Sequence, residues 1–143
     1  MSDPLRILLV EGNEEEFLLT RELLRSWRLS PLDLQWVTTA GAALVVMKRN
    51  QHDIYLVNEQ IGEEDGLELL RTGLAQGCQG PVILLTSQDN RATDLEAMQA
   101  GAVDYLIKGD LTADLFERTL RYALQQKQIR AEAVETRQRL TDR

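Results

Sequence analysis

Five short runs rich in Val, Ile and Leu punctuate this chain: RILLV (residues 6–10), LQWV (34–37), DIYLV (53–57), PVILL (81–85) and DYLI (104–107). Each has the length of a strand. The segments between them have helical spacing instead: EEEFLLTRELLRSW, AGAALVVMKRN, DGLELLRTGLAQ and NRATDLEAMQAG. In the first of these, Phe17, Leu18, Leu24 and Trp27 can share a face. Strands alternating with helices point to right-handed crossovers and a parallel sheet. RILLV, DIYLV and PVILL are near-continuous apolar runs, as central strands covered on both faces should be, whereas LQWV is mixed and reads as an edge. The expected class is α/β: one doubly wound sheet of five parallel strands with five helices, the last of them extended.

A chain of 143 residues suits a single domain with a sizeable core. The net charge of -7 disfavours binding to nucleic-acid phosphates, which needs clustered Lys and Arg, so no direct nucleic-acid contact is expected. No apolar run approaches the roughly 18 residues of a membrane helix, so no membrane contact is expected. The start MSDPLRILLV lacks the pattern of a secretory signal peptide, which makes the cytoplasm the default location. The single cysteine, Cys78, can form no internal disulfide, consistent with a reducing compartment. The single histidine, His52, has no Cys or His partner at metal-ligand spacing and reads as an exposed loop residue.

Asn13 can cap the first helix, with Glu16 three residues on completing a capping box. Glu14, Glu15 and Glu16 then lie at the positive end of the helix dipole, where a solvated acidic run is the ordinary outcome. The last helical segment has a clear apolar face through Leu115, Leu120 and Leu124. Beyond it only Ile129, Ala133, Thr136 and Leu140 keep a weak heptad trace. The expected division is a body at 1–124 and a helical extension at 125–143, which either frays or forms a coiled linker to a partner or output domain.

In an open doubly wound sheet, ligands bind beyond the carboxyl ends of the strands, where strand order reverses. The residues in those places are Glu11, Gly12 and Asn13 after the first strand, Asn58 and Glu59 after the third, Thr86 and Ser87 after the fourth and Lys108 after the fifth. A carboxylate, an amide, a hydroxyl and an ammonium should converge on one small patch.

In order and spacing, residues 5 to about 124 resemble the receiver domain of two-component response regulators. ILLVEGNEEEFLLTRELL resembles the acidic-pocket strand and first helix, and VNEQIGEEDGLELL the loop after the third strand with Asp65 and Gly66 before the next helix. PVILLTS resembles the fourth strand with its switch hydroxyl, and AGAVDYLIKGDL the fifth strand with an aromatic residue three positions before a lysine. The resemblance implies a flavodoxin-like strand order 2-1-3-4-5. It also implies that an aspartate at the end of strand three takes a phosphoryl group from a histidine kinase while acids after strand one help hold Mg²⁺. By that resemblance Glu11 is the first pocket acid, Thr86 and Lys108 are the switch residues, and Tyr105 is the aromatic reporter. On the residues alone, Thr86 and Ser87 read more often as turn or cap residues than as a switch, Tyr105 also reads as strand filler, and Lys108 as a partner for Asn58, Glu11 or Glu59.

The departures carry the functional expectation. Asn58 stands at the phosphoacceptor position and Gly12 at the second pocket acid. An amide nitrogen is no nucleophile, so phosphoryl acceptance at Asn58 should be lost. Mg²⁺ prefers carboxylates in octahedral geometry, so no cofactor is expected beyond a weak Mg²⁺ contact at Glu11. Gly62 and Gly109 stand where the family commonly has proline, and the Lys108–Gly109 bond should be trans. One Asp-to-Asn change would account for Asn58 alone and not for Gly12 as well, which favours natural divergence.

The resulting expectation is a signalling module, not an enzyme. It would act by protein contact with a histidine kinase, an output domain or a second copy, through the face of the fourth helix, fifth strand and fifth helix, including Leu95, Met98, Tyr105 and the 112–124 helix. Two alternatives stay open. Glu59 or Asp65 could serve as substitute acceptor, although Glu59 should point away from Asn58 if the strand continues. The module could also be the regulatory domain of a histidine kinase or cyclase.

Overall fold

The computed structural model describes residues 3–87 and 91–141. Along the chain run β1 (Leu5–Val10), α1 (Glu14–Leu24), β2 (Leu32–Val37), α2 (Ala40–Lys48), β3 (Ile54–Asn58), β4 (Gln60–Ile61), β5 (Glu64–Asp65), α3 (Gly66–Ala75), β6 (Val82–Thr86), α4 (Arg91–Ala100), β7 (Asp104–Ile107) and α5 (Ala113–Thr141). Five strands form one parallel sheet in the order β2-β1-β3-β6-β7, with β2 at an edge. With the β4–β5 hairpin set apart, this is the expected 2-1-3-4-5 order, and the reversal falls between β1 and β3. The antiparallel hairpin β4–β5 was not expected; it turns at Gly62, whose φ of +61° favours glycine.

The central strands are buried on both faces, and their period-two alternation builds two cores. On one face Leu8, Val10, Tyr55, Val57 and Leu84 pack with Met47, Leu70 and Ala97, under α2, α3 and α4. On the other, Ile7, Leu9, Ile54, Leu56, Ile83 and Leu85 pack with Leu24, Phe116 and Leu120, under α1 and α5. Full burial of a side chain of this kind stabilises by about 1.5–3 kcal/mol, which outweighs local helix and strand preferences.

Among the described residues, side-chain caps start four helices. Asn13, Thr39, Asp65 and Thr112 accept from the N–H groups of Glu16, Ala42, Leu67 and Leu115 at 3.0, 3.2, 2.9 and 3.1 Å. The capping box at α1 is only half formed. The Asn13 N–H donates to Glu11 Oε1 at 3.1 Å, and the Glu16 carboxylate is drawn to Lys108. Leu18 is 42% exposed rather than on the buried face, because Leu24, Trp27 and the partly buried Phe17 already fill the stripe that meets the sheet. His52 is half-buried rather than exposed, its ring tilted against Tyr55 at 5.7 Å. Burial and the nearby Arg6 charge hold its imidazole below the usual range.

Helix α5 runs without a break across the expected boundary at residue 124. Lys127 Nζ lies 2.9 Å from Asp53 Oδ1, while Asp53 Oδ2 accepts the Arg6 N–H at 2.8 Å, so the start of the extension is tied to the base of the sheet. Burial pushes the Asp53 carboxyl up, but the Arg6 N–H and the Lys127 ammonium outweigh it and hold the group below its ordinary value. Ile129 is 57% exposed on this helix; the side chains of Thr136 and Leu140, which would complete the heptad trace, lie outside the described residues. Among the described residues no helix is long and apolar enough to cross a membrane.

Candidate functional site

Strand register carries the candidate residues to one end of the sheet. Val10 pairs with Val57, Asn58 with Leu85 and Thr86 with Ile107, so Glu11, Asn58, Thr86 and Lys108 all stand at carboxyl ends. Alternation then sorts them. Asn58 follows the parity of Ile54 and Leu56, towards α1 and α5, and Glu11 and Lys108 follow Leu9 and Leu106 to the same side. Thr86, Tyr105 and Glu59 fall on the α4 side.

On the first side Asn58 is 2% exposed. Its Nδ2 donates to the Val10 carbonyl at 2.8 Å, and its Oδ1 has no hydrogen-bond partner among the described residues. Glu11, 3% exposed, is the buried acid. Its Oε2 lies 3.1 Å from Lys108 Nζ, which is also 3.2 Å from Glu16 Oε2. Glu16, read from sequence as part of a solvated helix start, therefore belongs to the site. Lys108 pairs with these two carboxylates rather than with Asn58 or Glu59. The indole N–H of Trp36 donates to the Glu11 carbonyl at 2.7 Å, and its ring stacks on Phe17 with centroids 4.0 Å apart.

On the second side the Thr86 hydroxyl donates to the Glu59 carboxylate. The register puts Glu59 opposite Thr86, and the Glu59 N–H still bonds to the Leu85 carbonyl at 2.7 Å, so the ladder persists one residue past Asn58. Glu59 thus turns away from Asn58, as alternation requires. Tyr105 is partly buried against the α2–α4 core, whereas Leu95 and Met98 are 59% and 46% exposed on α4. Asp65 is spent as the cap of α3.

Two glycines set the shape of the pocket mouth. A Cβ on Gly12 would lie 2.9 Å from the Gly62 nitrogen, and one on Gly66 would lie 1.8 Å from the Asn58 carbonyl oxygen. The hairpin backbone therefore occupies space that a side chain at position 12 would need. The residues present do not fit a hexacoordinate Mg²⁺: one buried carboxylate is already paired to an ammonium, Asn58 offers only a neutral amide oxygen, and position 12 has no ligand. Among the described residues no three His, Cys, Asp or Glu side chains are grouped to hold a metal ion. All peptide bonds among the described residues are trans, Lys108–Gly109 included.

The family model of the response regulator receiver domain matches residues 7–121. The chain belongs to the response regulator receiver family. This receiver is 33% identical over 104 residues to the response regulator protein PmrA of Pseudomonas aeruginosa, covering 73% of this chain and 46% of that protein. It is 30% identical over 122 residues to the transcriptional regulatory protein ZraR of Escherichia coli K12, covering 85% of this chain and 27% of that protein. The receiver thus spans less than half the length of these two relatives. Among solved structures, the signal receiver domain of a LuxO repressor protein from Vibrio parahaemolyticus superposes with a TM-score of 0.79 at 20% identity, covering 92% of this chain and 98% of that one. A CheY-like receiver from Methanospirillum hungatei gives 0.74 at 18%, covering 90% and 99%. Both likenesses speak to the fold. The domain is thus the receiver of a two-component response regulator, a regulatory module.

Proposed function

We propose that this receiver signals without being phosphorylated and acts through protein contacts. The observation that carries the reading is Asn58: it is buried at the phosphoacceptor position, with its amide N–H donating to the Val10 carbonyl. A carboxylate makes the nucleophilic attack on a phosphodonor; a neutral amide does not. The pairing of Thr86 with Glu59 and of Lys108 with Glu11 and Glu16 agrees with this, since both switch residues are already engaged within the protein.

The contact surface in this reading is the α4–β7–α5 face, with Leu95 and Met98 as its apolar centre. Residues 1–124 form the signalling body, and 125–143 lead to an output domain or partner in the cytoplasm. No nucleic acid is bound directly. The alternative acceptor is Glu59, whose carboxylate stands beside the Thr86 hydroxyl.

Intact-mass analysis after incubation with Mg²⁺ and a small-molecule phosphodonor tests the reading, with an aspartate-bearing receiver treated alongside. The native chain is expected to gain nothing while the control gains a phosphoryl group. A labelled native chain overturns the reading, and mapping the label to Glu59 would establish the alternative. Substituting Arg for Leu95 or Met98 is expected to weaken self-association or partner capture; unchanged association counts against that face.

A further inference from the structure

We infer that the Lys108 ammonium, shared by Glu11 and Glu16, serves as the built-in counter-charge of the pocket, in the place a divalent cation would fill. The inference rests on the proposed phosphorylation-independent reading and concerns what replaces the metal at that same site.

The geometry is that of a cation held between two carboxylates. Lys108 Nζ stands 3.1 Å from Glu11 Oε2 and 3.2 Å from Glu16 Oε2. The Glu11 side chain is 4% exposed and that of Lys108 20%, so the pair is largely withdrawn from water, where an uncompensated carboxylate is costly. The second Glu11 oxygen accepts the Asn13 N–H at 3.1 Å, so both oxygens of the buried acid are engaged. Glu16 is more open, at 40%, and its charge is also favoured by the start of α1, which lets one ammonium serve two acids.

Three further features agree with an ammonium here and disagree with Mg²⁺. Mg²⁺ needs oxygen ligands at roughly 2.0–2.1 Å in near-octahedral order. A lysine on the same carboxylate competes for those lone pairs and repels a second cation. The approach of Gly62 to Gly12 leaves no room for a further carboxylate without moving backbone. Asn58 brings no negative charge, so the pocket holds two carboxylates against one ammonium, with Glu59 set on the opposite side of the sheet. The bridge also has mechanical reach: it joins the end of β1, the first turn of α1 and the end of β7, across 92 residues between Glu16 and Lys108. The domain therefore carries an internal tie among three elements that meet at the pocket.

The test is thermal unfolding of the full chain in millimolar Mg²⁺ against NaCl of matched ionic strength. The variants are Lys108→Gln, Glu16→Gln and the pair of them combined. The native chain is expected to melt at the same temperature in both salts. Lys108→Gln should melt several degrees lower and recover part of that loss in Mg²⁺, and adding Glu16→Gln should abolish the recovery. A native chain stabilised by Mg²⁺, or a Lys108→Gln variant indifferent to it, overturns the inference. Where Lys108→Gln fails to fold, Glu16→Gln alone decides with the native chain: it should melt lower than native in both salts, and an unchanged melting temperature refutes the bridge. The phosphodonor experiment separates the two levels. A native chain that stays unlabelled yet is stabilised by Mg²⁺ sinks only the counter-charge; a labelled native chain sinks the reading beneath it.

Discussion

Replacing Asn58 by aspartate puts a carboxylate in place of a buried amide, and the structure predicts that it should destabilise the protein. The amide Nδ2 donates to the Val10 carbonyl at 2.8 Å from a side chain only 2% exposed. An ionised carboxylate cannot donate, so a buried carbonyl loses its partner at a cost of about 1–3 kcal/mol. The new charge enters a pocket whose ammonium is already divided between Glu11 and Glu16, adding on the order of 1 kcal/mol or more. The sum is about 2–4 kcal/mol, and at about 2–4 °C per kcal/mol for a chain of this size the melting temperature should fall by roughly 5–15 °C. Urea unfolding in EDTA measures it. The sign with pH follows from linkage: the buried acid has a folded pKa raised above its unfolded value, so the penalty is full at neutral pH. It shrinks as pH falls towards the unfolded carboxyl value, because the protonated acid can again donate to Val10. An Asn58→Asp protein as stable as the native one at pH 7 without divalent cations would refute the reasoning.

Other perturbations probe the frame around the site. Gly66→Ala places a Cβ 1.8 Å from the Asn58 carbonyl oxygen, so backbone must move; a loss of about 3 kcal/mol or more is expected in urea unfolding, and a variant melting within a degree of native would contradict that approach. Asp104→Asn should stabilise at neutral pH by up to about 1 kcal/mol after allowance for solvent screening, since burial and the Asp94 charge raise the Asp104 carboxyl despite the Tyr105 N–H. The ionised form is the strained one, so the gain should fade as pH falls through the folded pKa towards 3.8, as melting temperatures across pH would show. Lys127→Met should cost about 0.5–1 kcal/mol at neutral pH. The native advantage comes from a carboxyl held below 3.8, so it should persist above that value and vanish as pH drops through the folded pKa of Asp53.

The sheet was legible from the chain because RILLV, DIYLV and PVILL are near-continuous apolar runs, and the strand-end rule then located Glu11, Asn58, Thr86 and Lys108 together. Edge status for β2 followed from its mixed character. Other features left no such trace. The β4–β5 hairpin has two-residue strands, too short for any periodicity, and depends on a positive φ at Gly62. The Glu16–Lys108 pair spans 92 residues, and the capping-box spacing that marks Glu16 locally points to Asn13, not to Lys108. Leu18 looks inward on spacing alone, yet the stripe that faces the sheet is narrower than the apolar content of α1. The half-burial of His52 depends on Tyr55, a contact that no turn signal announces. The need for glycine at 66 was visible only as a match to a family pattern; the backbone approach to Asn58 supplies its physical cause.

The two tryptophans make the molecule its own optical instrument. Trp36 has its indole N–H on the carbonyl of Glu11 and its ring laid on Phe17 of α1, so any shift at the mouth of the pocket changes both the polarity and the stacking around that fluorophore. Trp27 is buried beyond the other end of α1, bonded to the Ser30 hydroxyl at 3.1 Å, and is shielded from such a shift. Emission from Trp36 against the steady background of Trp27 would report a rearrangement at the pocket mouth in real time, on the unlabelled protein.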